Sequence, residues 1–325
     1  MPDRALKLNR RDFLQATATG VAAAAFGCQS GEGGAGTLDI VDCHTHFFDP
    51  TRPQGIPWPG EGSPLYRPTL PQHLRALPKP KPVTGTVIVE ASSWLEDNQW
   101  LLDLAEVDPF VLGIVGRLSP ATAEFLTQLE RFAKNPLFRG IRVGEADAKK
   151  AVDGDESWLG ACKRLADFNL ALDVNGGMTT PGTVARLAQK LPELRLVINH
   201  VGNVRIDGKT IDGAWRVGMQ AAGKQPRVWC KVSALVEGAN QRPAPADVEF
   251  YKPTLDAVWD AFGDDRLIYG SNWPVSDTAA DYATLQQIVL DYVTDRGATA
   301  TEKFFSLNSR AAYGWTERPG RLAVG

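Results

Sequence analysis

The sequence predicts an α/β protein that forms a single (β/α)8 barrel of the TIM type. Short runs rich in Val, Ile and Leu alternate with longer amphipathic stretches along the 325 residues. There are eight such runs, and they lack the strict apolar-polar alternation of a half-exposed sheet. The length also suits one barrel, which typically takes roughly 250 residues.

The predicted strands and helices follow one another in the order that a barrel needs. Helices are predicted over 97–107, over 119–135 from a Ser-Pro start, and from the Thr-Pro pair at 180–181. The first presents one apolar face, made of Trp100, Leu101, Leu104 and Val107. An open doubly wound sheet is the main alternative to the barrel. The predicted strands cover residues 38–44, 83–90, 110–118, 138–144, 170–174, 194–200, 227–233 and 266–271.

The first 36 residues have the composition of an export signal followed by a flexible linker. Arg10 and Arg11 precede a short Ala-rich apolar stretch, which resembles a twin-arginine export signal. The run QSGEGGAG that follows is typical of a flexible linker. The prediction is an exported protein, periplasmic or membrane-anchored outside the cytoplasm, with a lipid anchor at Cys28 left open. The barrel domain then covers residues 37–325.

Composition excludes several classes of partner. The formal net charge is -3 and no Lys/Arg cluster follows the leader, so no nucleic-acid partner is expected. No apolar run reaches the ~20 residues of a membrane-spanning helix. Cys43, Cys162 and Cys230 fall in or near apolar segments, which favours buried thiols over disulfides. The expected partner is a small molecule, and the sequence assigns no oligomeric state.

One connection is unusually long and dense in Pro and Gly. It covers residues 47–82, directly after the first strand, and would lie on the catalytic face of a barrel. Loops of this length are typically lids, binding loops or disordered links. Trp58, Tyr66 and Arg67 give it side chains that can contact a ligand. A plain covering segment is the alternative.

Three of the four histidines are predicted to meet at one end of the barrel. His44 and His46 follow the first buried strand, and residues i and i+2 of a strand point to the same side. His200 ends the sixth strand, which opens on the same face. His73 lies in the Pro-rich segment and is expected at the surface. No phosphate loop, serine nucleophile elbow or dinucleotide fingerprint is present.

The stretches VDCHTHFFDP, NHVG and DRLIYGSNWPV resemble the amidohydrolase superfamily, in its amidohydrolase-related branch. That branch includes sugar-lactone hydrolases and the pyrone-dicarboxylate lactonase. The stretches NQWLLDLAEVDPFVLGIVGRL, NPLFRGIRV and NSRAAYGW support the resemblance, which runs from about residue 38 to residue 313. It implies a β/α barrel in which activated water hydrolyses a carbonyl compound.

The resemblance also implies a site pattern, from which this chain departs twice. The branch has His-x-His on strand 1, histidines on strands 5 and 6, and an Asp on strand 8 that takes the proton from water. Here strand 5 offers only Asp173 or Asn175, and Asn272 stands where the Asp is usual. A neutral amide cannot serve as a general base. Another base is therefore needed, and Glu90 and Asp173 at strand ends are the candidates.

His44, His46 and His200 meet the usual count of three protein ligands at a catalytic zinc site. We therefore predict one divalent, zinc-like metal, with a metal-free site as the alternative. In a metal-free site His200 could itself act as base, because imidazole titrates near neutrality. Glu145 follows strand 4 and is more typical of a helix cap or a salt bridge.

Arginines on two strands are candidates for gripping a substrate. Arg142 lies within strand 4 and Arg117 ends strand 3, and a guanidinium can hold a carboxylate in a bidentate way. Lys231 lies in an apolar strand and could act similarly. Trp273, next to Asn272, is also assigned to substrate contact. The leading function is an exported hydrolase of a lactone or related ester. The alternatives are a decarboxylase on the same barrel and a non-catalytic small-molecule-binding barrel.

Overall fold

A computed structural model describes residues 38–321 of the chain. Across this range eight parallel strands pair with their neighbours in chain order. The predicted export signal, tether and Cys28 lie outside the described residues. The strands are Val41–Thr45 (β1), Gly85–Val89 (β2), Val111–Gly116 (β3), Phe138–Gly144 (β4), Ala171–Asn175 (β5), Arg195–Ile198 (β6), Val228–Val232 (β7) and Leu267–Tyr269 (β8).

The sheet closes on itself between its last and first strands. Thr45 forms a parallel bridge with Trp273, just beyond the end of β8. The amide of His46 donates to the Trp273 carbonyl at 2.9 Å, and the amide of Asn272 donates to the His44 carbonyl at 2.8 Å. An open doubly wound sheet would leave these groups unpaired at two edges. The predicted barrel is therefore confirmed.

The helices flank the barrel, and two details of their prediction were wrong. In the second helix Leu101, Leu102 and Ala105 are buried, whereas Val107 is 81% exposed, so the apolar face is narrower than predicted. The third helix begins at Phe125, because the residues from Ser119 onward form turns first. The helices are Pro71–Ala76 (α1), Asp97–Val107 (α2), Phe125–Ala133 (α3), Glu145–Asp153 (α4), Glu156–Asp167 (α5), Thr180–Lys190 (α6), Gly213–Gly223 (α7), Leu235–Gly238 (α8), Val248–Phe262 (α9), Tyr282–Thr294 (α10), Ala298–Glu302 (α11) and Asn308–Tyr313 (α12).

Apolar side chains fill much of the barrel interior, and polar groups lie at the end where the strands have their carboxyl ends. Val41 and Cys43 from β1 pack with Val87 and Val89 from β2 in the barrel interior. Tyr313, at the end of α12, is fully buried against the same cluster. A larger cluster fills the space between the strands and the helices. Between residues 38 and 321 the three cysteines are free and buried, as predicted.

The long segment after β1 is anchored to the rest of the molecule at several points. Phe48 and Thr69 form an antiparallel bridge, and α1 lies within the segment. Arg67 forms an ion pair with Asp277 at 3.2 Å. Trp58 reaches the cavity described below. No helix in the described range is long and apolar enough to cross a membrane.

Candidate active site

A cavity of about 340 Å³ opens at the carboxyl ends of the strands, where barrel enzymes carry their active sites. Its wall combines imidazoles, guanidinium groups, a carboxylate and an indole. The lining residues are His46, Trp58, Glu90, Ala91, Ser92, Ser93, Arg117, Arg142, His200, Asn272 and Val275. Six different strands or their following loops contribute to it. The structure thus brings together most of the residues that the sequence singled out.

His44 lies directly behind this wall and is fully buried. Its ring centroid is 4.3 Å from that of His200 and 5.0 Å from that of His46. The Lys231 ammonium lies 3.4 Å from His44 Nδ1 and donates to Asp173 at 2.8 Å. An ammonium group only donates, so Nδ1 accepts and the ring proton is on Nε2. His44 Nε2 is buried and has no partner among the described residues. The Nε2–H of His44 is therefore a buried donor without an acceptor among the described residues.

The other two histidines are also held by specific contacts. His46 Nδ1 donates to the Val89 carbonyl at 2.9 Å, which leaves Nε2 directed at Asn272 Oδ1, 3.2 Å away. His200 Nδ1 lies 2.9 Å from Ser233 Oγ. Burial lowers the pKa of His46 to about 3, and Arg142 adds to the effect. Burial also lowers the pKa of His44 and His200 well below the usual range, so all three rings are neutral near pH 7.

Asn272 bridges the cavity wall and a carboxylate behind it. Its backbone has φ of 61°, in the left-handed region that asparagine tolerates better than most residues. Its Nδ2 donates to Glu237 Oε1 at 2.7 Å, while Oδ1 faces His46. Burial raises the pKa of Glu237 to about 7. Sequence reasoning missed Glu237, because a glutamate in a four-residue helix after β7 carries no motif.

Glu90 and two arginines form a charged group on the opposite wall. Arg142 Nε donates to Glu90 Oε1 at 3.0 Å, and its Nη2 donates to the Glu90 carbonyl at 2.8 Å. Arg117 Nη1 lies 3.6 Å from the same carboxylate oxygen. The Ser92 amide donates to Glu90 Oε2 at 3.1 Å. This side of the cavity therefore offers guanidinium and amide donors to the oxygens of a ligand.

Two residues assigned to the site from sequence lie elsewhere. Asp173 is fully buried below the cavity, where it accepts from Lys231 and from the Tyr313 hydroxyl, so it does not reach the cavity as a base. Trp273 is 2% exposed and packs against Phe47 in the core, so it does not line the cavity. Glu145 accepts from hydroxyls at the start of α6, which is the structural role expected of it.

Several observations on the histidines and their surroundings favour a metal-free site over a resident metal ion. Among residues 38–321 no group of three or more His, Cys, Asp or Glu side chains could hold one. His44 turns a proton, not a lone pair, toward its unpartnered side, and the Lys231 ammonium lies against the same ring. Asp173 and Glu90 already pair with cations, so neither is free to offset the charge of a dication there. The metal role of His44, His46 and His200 stays a prediction, and the contacts favour the metal-free alternative.

Known proteins resemble this chain over most of its length. The family model described as Amidohydrolase matches residues 41–315. An L-fucono-1,5-lactonase of Burkholderia ambifaria is 32% identical over 252 residues, which is 74% of this chain and 82% of that one. An L-fucono-1,5-lactonase of Burkholderia multivorans is 28% identical over 285 residues, 80% of this chain and 90% of that one. A crystal structure of a Burkholderia multivorans amidohydrolase with bound zinc superposes with a TM-score of 0.72, at 25% identity, over 86% of this chain and 100% of that one.

Proposed function

The chain belongs to the amidohydrolase family and is a hydrolase, and from that premise we propose that it opens a lactone of a sugar acid. The observation that carries the proposal is the buried, unpartnered Nε2 of His44 beside two cavity-lining imidazoles. A buried donor without a partner is costly unless a ligand completes it. The two L-fucono-1,5-lactonases among the relatives support the choice of a sugar lactone.

In the proposed reaction His44 stabilises the charge that develops on the lactone carbonyl. Its Nε2–H donates to the carbonyl oxygen, which becomes an oxyanion as water attacks. The Lys231 ammonium on the far side of the ring favours that negative charge, because the interaction is not screened by water at a fully buried site. Donors of this kind are each worth roughly 10²–10³-fold in rate.

Two groups that line the cavity can accept the proton of the attacking water. Glu90 carries a carboxylate, and His200 carries a neutral imidazole. Arg142 engages Glu90 through Nε and Nη2, which leaves Nη1 for a substrate oxygen. Trp58 borders the same space with an indole that is 38% exposed, a surface suited to the apolar face of a sugar ring. The site would thus hold a hydroxylated, compact substrate.

The test is proton release by the full chain over a panel of sugar lactones that includes L-fucono-1,5-lactone. We expect acid release by the wild type and by Glu249→Gln, whose carboxylate is exposed on α9. We expect a loss of at least about 10²-fold in His44→Ala, because the oxyanion donor is removed. Thermal unfolding of each variant shows that it is folded.

Three results would contradict this function or redirect it. No acid release from any lactone by folded wild type would contradict it. Carbon dioxide release from a carboxylated substrate would indicate the decarboxylase instead. Ligand-induced stabilisation without turnover would indicate a binding protein. A parallel series with a chelator and with added zinc tests the metal, since a related structure carries bound zinc.

We propose in addition that the chain is exported, on the strength of the Arg10 and Arg11 pair. In a bacterial host with a twin-arginine pathway, the full chain should fractionate outside the cytoplasm. Replacing both arginines with lysine should retain it inside. A membrane-bound fraction that Cys28→Ala releases would indicate the lipid anchor. Wild type that stays cytoplasmic would contradict export.

A further inference from the structure

Glu237 is a buried carboxylate that the proposed reaction does not yet use. It lies on α8, directly after β7, and only Oε1 has a partner, the Asn272 amide at 2.7 Å. Oε2 is buried and unpartnered within the described residues. Burial raises the pKa of this carboxyl to about 7, against the opposing effects of the Asn272 hydrogen bond and of Arg242. Both of its protonation states are therefore accessible near neutral pH.

The contacts of His46, which faces the other end of the Asn272 side chain, do not pair every acceptor with a donor. His46 faces an oxygen at each ring nitrogen, the Val89 carbonyl at 2.9 Å and Asn272 Oδ1 at 3.2 Å. Both oxygens are acceptors, and a ring with one N–H can satisfy only one of them. With Nδ1 donating to Val89, two lone pairs face each other between His46 Nε2 and Asn272 Oδ1. The amide is in this orientation while its Nδ2 donates to the Glu237 carboxylate.

Turning the amide by 180° removes the mismatch, provided that Glu237 is protonated. Asn272 Nδ2 then donates to His46 Nε2, and Oδ1 faces Glu237. That contact needs a donor, which only the neutral acid supplies. Each amide orientation therefore goes with one protonation state of Glu237. The carboxylate favours Oδ1 toward His46, and the acid favours Nδ2 toward His46.

We infer that Glu237 is a positioning residue whose protonation state sets which end of the Asn272 amide faces His46 and the cavity. The inference rests on the proposed function for its effect on the rate. With Glu237 ionised, Asn272 presents an acceptor beside the lone pair of His46, and this pair of acceptors can orient the hydrogens of the attacking water. With Glu237 neutral, Asn272 presents donors there instead. The lactonase rate should therefore rise as Glu237 loses its proton.

No charged group in the described part of the chain forms an ion pair with the Glu237 carboxyl, so burial remains the main influence on its pKa. Arg242 donates to the Glu237 main-chain carbonyl at 2.7 Å and not to its carboxylate. Asp277 lies on the neighbouring turn, opposes ionisation and is itself paired with Arg67. The Tyr251 hydroxyl donates to a main-chain carbonyl, and its pKa is raised to about 12. The turn from 200 to 203, which also packs on α8, contributes only His200 as a titratable group.

The test combines a pH series with variants that keep or remove the titration. In Glu237→Gln the side chain has nearly the same size but cannot ionise, whereas Glu237→Asp keeps a carboxyl group. Glu249→Gln on the surface of α9 is the matched control. The wild-type kcat should rise about tenfold between pH 6 and pH 8, as one group of pKa near 7 ionises, with a smaller change in KM. Glu237→Gln should change less than about twofold over that range, and Glu237→Asp should keep the rise at a shifted pH.

Nuclear magnetic resonance gives a readout that needs no substrate. With glutamate labelled at the carboxyl carbon, the resonance that is absent from Glu237→Gln should titrate near pH 7 in the wild type. The Asn272 side-chain amide resonance, assigned through Asn272→Ala, should shift at the same pH in the wild type and stay constant in Glu237→Gln. If Glu237→Gln does not fold, Glu237→Asp serves to assign the carboxyl resonance.

The outcomes separate this inference from the proposed function. An Asn272 amide resonance that does not follow the Glu237 carboxyl, or a carboxyl that titrates below pH 5, overturns the inference. A rise in kcat that persists unchanged in Glu237→Gln overturns it as well. If no lactone is hydrolysed but both resonances shift together near pH 7, the coupling of Glu237 and Asn272 stands and the proposed function fails.

Discussion

Replacing Lys231 with methionine tests the buried ion pair between Lys231 and Asp173, which lies below the cavity. Lys231 and Asp173 both have fully buried side chains and are joined at 2.8 Å. Without the ammonium group, Asp173 keeps only the Tyr313 hydroxyl, which lies 3.0 Å and 3.1 Å from its two oxygens. An unpaired buried charge of this kind typically costs about 3–5 kcal/mol. That is a large share of the roughly 5–15 kcal/mol by which proteins are stable.

The double variant Lys231→Met/Asp173→Asn separates the loss of the ion pair from the burial of an unpaired charge. It removes both charges and keeps an amide acceptor for Tyr313. It should be at least about 2 kcal/mol more stable than Lys231→Met alone, because no uncompensated charge remains. Urea unfolding at pH 7, followed by circular dichroism and tryptophan fluorescence, measures both. A loss below about 1 kcal/mol in Lys231→Met would refute the reasoning.

Three further predictions concern Glu237, Arg142 and the packing of two strands. Because burial raises the Glu237 pKa from 4.5 to about 7, its contribution to stability is full below pH 4.5 and is lost by about pH 7. The free energy of unfolding of Glu237→Gln, relative to that of the wild type, should therefore increase by about 3 kcal/mol between pH 4.5 and pH 8, as measured by urea unfolding. If the two proteins showed the same dependence of unfolding free energy on pH, this prediction would be contradicted. Arg142→Lys should raise KM about 10–100-fold, because a lysine cannot hold Glu90 through two nitrogens and reach the substrate with a third, and an unchanged KM would exclude Arg142 from binding. Gly140→Ala should destabilise by about 1–3 kcal/mol, since its Cβ would lie 2.6 Å from the Ala171 carbonyl oxygen, and an unchanged melting temperature would contradict that packing.

The strands were predictable from sequence because parallel strands are covered on both faces. The eight apolar runs mark the eight strands within a few residues at each end. Helix faces were less certain, since α2 contacts the barrel over a narrower stripe than its apolar residues suggest. There Val107 is 81% exposed although it follows the helical period. Apolar residues on a helix surface cost little, so the period alone does not fix the buried face.

The histidines of the candidate site were predictable because each lies in the last residues of a strand or just after it, and strand ends meet at one face of a barrel. The depth of a residue within the barrel could not be predicted from its position in the sequence. Asp173 lies deeper in the barrel than the cavity and pairs with Lys231 across the barrel interior. Glu237 was missed because no spacing rule connects α8 to Asn272, and only the pairing of β7 with β8 brings the two side chains to 2.7 Å. Contacts between distant parts of the chain depend on the fold, not on local sequence.

The most direct test of the account is the initial rate of L-fucono-1,5-lactone opening by the full chain after exhaustive chelation. The account predicts a rate well above the uncatalysed background, and a loss of at least about 10²-fold in His44→Ala. Persistence of the rate without metal would agree with the donor role assigned to His44 Nε2. A folded protein that opens this lactone no faster than buffer, or a His44→Ala variant as fast as the wild type, would contradict the account.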